Sequence, residues 1–196
     1  MFFTVDTCFI LGCRKGWCLM AKTIAVVNQK GGVGKTTTCV NLAAALSALG
    51  KRVLVCDFDP QGNATSGFGV DKQANPSVYD VIINDADPAK AIVSTPWSDV
   101  LPANKALSGA SVELIGLDRR EYRLKDALSK VGGKYDFIFI DCPPSLELLT
   151  LDALCAADSL LVPVQCEYYA LEGLSDLLYT VRLAKKSLNK GLSLEG

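Results

Sequence analysis

From residue 23 to the end of the chain, short apolar runs alternate with longer stretches in which apolar residues return every three or four positions. Thr23–Asn28, TIAVVN, is β-branched, apolar and brief, the pattern of a strand buried on both faces of a parallel sheet. Thr36–Leu49 spaces its alanines and leucines at helical intervals and stops at Gly50, a residue suited to closing a helix. Arg52–Asp57 predicts the next strand, and the polar, glycine-bearing loop FDPQGNATSGFG follows it. Helical pieces are expected at Val78–Ile83 and Ala89–Val93, with short strands at Asp99–Leu101 and Val112–Ile115. Asp118–Val131 predicts an amphipathic helix ended by Gly132 and Gly133, and Asp136–Asp141 a strand. A helix over Glu147–Ala157, a strand over Ser159–Val164 and a helix over Leu174–Leu188 complete the series. Repeated strand-then-helix units imply an α/β fold, a mainly parallel β-sheet with helices on both faces. There is no internal repeat and no low-complexity tract.

With 196 residues, 49% of them hydrophobic, the chain can bury one substantial core. Its formal charge is −1, so affinity for nucleic acid must come from a local patch and not from the field of the whole molecule. Histidine is absent, which excludes a Ser-His-Asp triad, Cys-His catalysis and any metal site built on imidazole. Of eight cysteines, Cys39, Cys56, Cys142, Cys155 and Cys166 stand singly in apolar stretches and are expected to be buried free thiols. Cys8, Cys13 and Cys18 are evenly spaced, but three thiols without histidine suit neither a metal nor a closed disulfide set, and cysteine usage favours a reducing cytosol. Residues 1–19 lack a basic start and a long apolar run, so they make neither a signal peptide nor a membrane span; a weak membrane-touching segment is the second reading, and no membrane partner is expected. They are expected to be a non-native or disordered leader, with the domain occupying residues 20–196 from Met20.

The chemistry therefore falls to lysine, aspartate, threonine and the backbone. Asn28–Thr37, NQKGGVGKTT, nearly fits the phosphate-loop pattern G-x-x-x-x-G-K-[ST], with Gln29 in place of its first glycine and a second lysine, Lys30, next to it. Gly31, Gly32 and Gly34, with Val33 between them, let the backbone turn tightly and present N–H groups to phosphate oxygens. Lys35 is placed for the β- and γ-phosphates, the Thr36 hydroxyl for Mg²⁺, and Thr37 closes the loop. Two further loops leave the carboxyl ends of strands, where open α/β sheets bind ligands. One carries Asp57 and Asp59, either turn caps or carboxylates that hold magnesium and orient water. The other carries Asp141 at the end of FIFID, ahead of Pro143 and Pro144, which stiffen the turn.

KGGVGKTT is similar to the deviant Walker A motif of the ParA/Soj/MinD group of ATPases, and DFDPQGNATSG, DCPPSLELLTLDAL and PVQCEYYALEG resemble its Soj/ParA chromosome- and plasmid-partitioning branch, from Met20 to Gly196. The MinD branch shares the first motif but not the continuation at Pro60–Thr65, and nitrogenase iron protein shares the loop without a matching cluster-cysteine context here. The resemblance implies a P-loop NTPase of the SIMIBI, deviant Walker A type that uses ATP and Mg²⁺. It implies hydrolysis to ADP and phosphate, and a homodimer in the ATP state in which Lys30 reaches the phosphates bound by the partner. In that scheme Lys35 serves the phosphates of its own subunit, Asp59 positions the attacking water, and Thr36, Asp57, Asp59 and Asp141 serve magnesium directly or through water. Gln165–Gly173 would lie near the dimer face.

A ParB-like, centromere-binding stimulator and nonspecific DNA are the implied partners, and a cytoplasmic, nucleoid-associated location is the implied setting. The chain ends at LSLEG, where such proteins enter another strand and then segments supplying much of the adenine pocket and the basic DNA-binding residues, so an incomplete C-terminus is expected. Alternatives are a nucleotide-gated regulator of replication or transcription without significant catalysis, and a MinD-like cell-division positioning ATPase. Arg119, Arg120, Arg123, Lys125 and Lys130 form a basic stripe, read first as a solvated face and second as a partner or DNA contact.

Overall fold

The computed structural model describes residues 20–166 and 170–196. The expected leader at residues 1–19, with Cys8, Cys13 and Cys18, and the tyrosines Tyr168 and Tyr169 lie outside the described residues. In chain order the elements are β1 (Lys22–Val26), α1 (Lys35–Ala48), β2 (Val53–Asp57), α2 (Asn63–Gly67), α3 (Val78–Ile83), α4 (Pro88–Ala91), β3 (Val93–Ser94), β4 (Asp99–Leu101) and α5 (Leu107–Leu114). They continue with α6 (Arg123–Ser129), β5 (Phe137–Asp141), α7 (Leu148–Ala156), β6 (Ser159–Leu161), α8 (Ala170–Ser187) and β7 (Ser193–Leu194). Short 3₁₀ turns lie at Arg120–Tyr122 and Gly132–Lys134.

The strands form one sheet in the order β3-β4-β2-β5-β1-β6-β7, parallel throughout except where β3 meets β4. Because strand side chains alternate, each central strand feeds two cores. Ile24, Val26, Val53, Val55 and Phe139 pack against Cys39, Ala43 and Leu46 of α1 and Ala64 of α2. Ala25, Leu54, Cys56, Ile138, Ile140 and Leu160 face the opposite layer, where α3, α5, α6, α7 and α8 contribute Val78, Leu107, Leu124, Leu154 and Leu177. This is the mainly parallel, two-faced α/β sheet expected from the sequence. Local signals placed some ends sharply. In α3, Ser77 and Asp80 cap one another reciprocally, and in α4 Asp87 accepts from the Ala89 N–H ahead of Pro88.

Other segments depart from expectation for identifiable reasons. Val112–Ile115, expected as a strand, belongs to the end of α5 and its cap. Leu107, Ala110 and Leu114 are buried at helical spacing while Val112 is 74% and Ile115 63% exposed, so the three-to-four-residue period overrode β-branched preference. The single helix over Asp118–Val131 is broken, because Arg119 adopts φ 53° and a 3₁₀ turn precedes α6. The Leu124 N–H at the start of α6 is taken by the Asp152 carboxylate on α7 at 3.1 Å, so α6 is started by its neighbour. Val93, expected to end a helix, begins the antiparallel edge strand β3. The helix α2 was not foreseen, β6 stops at Leu161, and α8 begins at Ala170. Beyond α8, Ser193–Leu194 add a short strand parallel to β6. Cys39, Cys56, Cys142 and Cys155 are buried free thiols as expected, whereas Cys166 is exposed in the loop after β6.

Candidate nucleotide-binding site

Three loops converge at the carboxyl ends of β1, β2 and β5, the three strands at the centre of the sheet. From β1 the chain runs to Asn28, whose side chain accepts from the Lys30 N–H at 2.9 Å and donates to the Pro163 carbonyl at 2.8 Å. Gly32 and Gly34 take φ of 75° and 95°, left-handed values that a Cβ would strain, and so turn the chain into α1. Gly31 and Gly32 are exposed, Val33 and Lys35 buried, Thr36 half-buried and Thr37 exposed at the first turn. Lys35 Nζ curls back to the Lys30 carbonyl at 3.1 Å. Burial pulls its pKa below the ordinary lysine value, while the charges of Asp141 and Asp59 act to restore it.

Asp57 and Asp141 end adjacent strands in register with one another. The Asp57 carboxylate is saturated: Oδ2 accepts from the Thr65 N–H and hydroxyl, both at 2.7 Å, and Oδ1 from the Asp59 N–H at 3.2 Å. Burial still pushes its pKa up to about 6, against the pull of those bonds. Asp141 is fully buried, and neither of its oxygens makes a well-formed hydrogen bond. Desolvation drives its pKa up to about 7; the nearby Thr36 hydroxyl and Lys35 lower it, and Asp57 and Asp59 raise it. Asp59 is buried, and its Oδ1 accepts the Gln61 N–H at 2.9 Å in a turn that leaves the second oxygen uncommitted.

A buried carboxylate without a partner beside a threonine hydroxyl is a donor set that fits a hard divalent cation. No cluster of three His, Cys, Asp or Glu side chains able to hold a metal occurs among the described residues. The set therefore suits magnesium completed by phosphate and water, and not a cage made by protein alone.

Residues 21–194 match the protein family described as an AAA domain. The Soj protein of Bacillus subtilis, described as a sporulation initiation inhibitor, is 58% identical over 180 residues, covering 90% of this chain and 71% of that protein. The chromosome partitioning protein ParA of Myxococcus xanthus is 52% identical over 187 residues, covering 93% of this chain and 66% of that one. The chain belongs to the Soj/ParA family of partitioning ATPases. Its fold is also that of a Mycobacterium smegmatis protein described as a cobyrinic acid a,c-diamide synthase, solved with a bound ATP analog and magnesium. That likeness has a TM-score of 0.86 at 44% identity, covering 89% of this chain and 72% of that one.

In this Soj/ParA-family chain the structure adds residues that motif reading left out. Thr65 holds Asp57 and also accepts the Ala103 N–H at 3.0 Å, tying the acidic loop to the end of β4. It stands inside DFDPQGNATSG, so its presence was visible and only its role was not. Lys72 Nζ donates to the Gln61 carbonyl at 2.7 Å and braces the same loop from a segment without motif character. Gln165 Nε2 reaches the Gly32 carbonyl at 3.2 Å, bringing the start of the Gln165–Gly173 segment onto the phosphate loop. The basic stripe is elsewhere, and its three arginines are paired. Arg119 pairs with Asp126 at 3.0 Å, Arg120 with Glu121 at 2.8 Å and Arg123 with Asp85 at 2.7 Å. Among the described residues no helix is long and apolar enough to cross a membrane.

Proposed function

We propose that this chain hydrolyses ATP to ADP and phosphate, cycling between a monomer and an ATP-bound homodimer in the partitioning of chromosomal or plasmid DNA. The observation that carries this reading is the bare, buried Asp141 carboxylate set opposite Lys35 and beside Asp59 at one end of the sheet. Magnesium, when bound, supplies charge neutralisation at the phosphates. Thr36 and Asp141 would hold it, with Asp57 acting through water because its own oxygens are engaged. Gly31–Thr37 bind the phosphates through backbone N–H groups, and Lys35 meets them within the subunit. Asp59 holds the attacking water with its uncommitted oxygen, and the turn to Gln61 keeps that oxygen aimed.

Lys30 serves the partner's nucleotide. A cation supplied in trans ties dimerisation to the triphosphate, and such contributions reach about 10³–10⁵ in rate in related chemistry. The M. smegmatis neighbour with its ATP analog and magnesium supports the ligand assignment. The family supports a ParB-like, centromere-binding stimulator and nonspecific DNA as partners, and a cytoplasmic, nucleoid-associated location.

The test is phosphate release and light scattering on the parent chain, Lys35→Ala and Lys30→Ala, with DNA and stimulator present and absent. Lys35→Ala should lose nucleotide binding, whereas Lys30→Ala should bind ATP as a monomer and fail to dimerise. Equal loss of ATP binding in both variants would sink the trans role. ATP-dependent dimers without any phosphate release would replace hydrolysis with nucleotide gating.

A further inference from the structure

Gln29 stands where a phosphate loop ordinarily has a glycine, and nothing in the chemistry above uses its side chain. In the structure Gln29 Nε2 donates to Asp176 Oδ2 on α8 at 3.4 Å. Two further hydrogen bonds tie the same loop to the segment between β6 and α8, from Asn28 Nδ2 to the Pro163 carbonyl and from Gln165 Nε2 to the Gly32 carbonyl. The three bracket Lys30, whose own N–H is held by Asn28 and whose carbonyl accepts from Lys35. One turn before Asp176 lies Gly173, where a Cβ would come 3.0 Å from Gln29 Nε2 and 3.6 Å from its Cγ. A glycine inside a helix costs stability, so its presence at this contact marks the place where the glutamine lies against α8. The far end of α8 is anchored as well. The Leu188 carbonyl accepts from the Tyr122 hydroxyl at 2.9 Å, and Asn189 Nδ2 donates to the Ala157 carbonyl at 2.7 Å. Gln29, Lys30, Pro144, Leu146, Gly173 and Asp176 line a shared cleft of about 520 Å³.

We propose that Gln29 is a positioning residue, latching the phosphate loop to α8 through Asp176 and so fixing where Lys30 is presented to a second copy of this chain. At 3.4 Å and exposed to solvent the amide-to-carboxylate contact is long, so it orients the loop more than it stabilises it. A glycine at position 29 would have no side chain to make it and would leave the loop freer. The latch rests on the reading of Lys30 as the cation acting in trans.

Its test compares Gln29→Ala, Asp176→Ala and Gly173→Ala with Lys30→Ala in the whole chain, measuring ATP affinity of the monomer, the dimer dissociation constant and the melting temperature. Gln29→Ala and Asp176→Ala should keep monomer affinity within about twofold and weaken the dimer about two- to fivefold, as expected for one long, solvent-exposed bond. Their effects should not add when combined. Gly173→Ala should raise the melting temperature through helix propensity while weakening the dimer, a split that a merely structural role would not give. The pair Gln29→Glu with Asp176→Asn exchanges donor and acceptor and should restore dimerisation. If Lys30→Ala loses the dimer while Gln29→Ala and Gly173→Ala dimerise like the parent, the latch is wrong and the trans lysine stands. If Lys30→Ala dimerises like the parent, or the parent forms no ATP-dependent dimer, the reading of Lys30 falls and the latch with it.

Discussion

Asp57 and Asp141 sit side by side in register at the ends of β2 and β5, yet both oxygens of the first accept well-formed hydrogen bonds and neither oxygen of the second does. The two acids therefore answer to different demands. Asp57 organises the loop that carries Asp59, and in the proposed mechanism Asp141 is the acid that takes the cation. Asp57→Ala should strand the Thr65 donors and destabilise the chain by about 2–4 kcal/mol, since each buried unpaired donor costs about 1–3 kcal/mol. Asp141→Asn should leave unfolding in urea unchanged or improved without magnesium, and abolish the gain in ATP affinity that magnesium gives. Comparable stability losses in both variants would refute this division.

Asp59 touches the Gln61 N–H and faces Lys35, so its removal should act on water more than on nucleotide. Asp59→Ala is expected to bind ATP as tightly as the parent, to release phosphate at least about 10²-fold more slowly, and to accumulate the dimer. Phosphate release at the parent rate would remove Asp59 from the chemistry.

How much of this was legible in the sequence differs by length scale. The strands ending in Asp57 and Asp141 and the loop from Gly31 to Thr37 were readable, because burial on both faces leaves continuous apolar runs and glycine marks the turn. The Asp99–Leu101 strand and the Val78–Ile83 helix came out with the expected bounds. The failures lie where a distant residue decides. Asp152 starts α6 from α7, and Arg119 turns left-handed where its side chain pairs with Asp126, relationships without a local signature. At the site, residue types named the phosphate chemistry, but the contrast between a saturated Asp57 and a bare Asp141 depends on Thr65, eight positions along the chain from Asp57.

Asp152 supplies a pH test away from the phosphate loops. Its Oδ2 is buried without a partner, and desolvation lifts its pKa to about 8; the Leu124 N–H and Arg123 pull it down, and Glu121 and Asp126 push it up. The folded state therefore holds this proton more tightly than the unfolded chain. The stabilising contribution is complete below the unfolded pKa near 4 and is lost as pH rises through about 8. Asp152→Asn should flatten the decline in stability between pH 5 and pH 8, by up to about 1.4 kcal/mol per pH unit for one proton. Asp57 and Asp141 slope the same way, so the informative quantity is the difference between parent and variant in urea unfolding. Parallel pH profiles would show that Asp152 titrates alike in both states.

Nonspecific DNA binding needs several cations free to meet phosphates, and it weakens steeply with salt. With Arg119, Arg120 and Arg123 each paired to a carboxylate, the stripe expected to be the first candidate keeps only Lys125 and Lys130 without an ion pair among the described residues. The 196-residue chain is expected to bind DNA poorly in filter-binding titrations at low and moderate salt, even with ATP and magnesium. Tight, ATP-dependent retention would overturn this. It would direct attention to Arg182, Lys185 and Lys186 at the end of α8 and Lys190 in the turn beyond it, which have no carboxylate partner among the described residues.

The strand order carries a consequence for how the molecule is made. β5 lies between β1 and β2, although more than a hundred residues separate its sequence from β1. A nascent chain that has emerged only as far as α6 holds the glycine loop and the Asp59 loop on two strands with nothing to join them. Only with Phe137–Asp141 in place are both sides joined, Val26 and Asp57 each standing opposite Asp141. Contacts this distant in sequence fold slowly. Competence to hold a triphosphate thus arrives late and all together, and a ribosome-bound fragment stopped before Phe137 has the motif without the pocket.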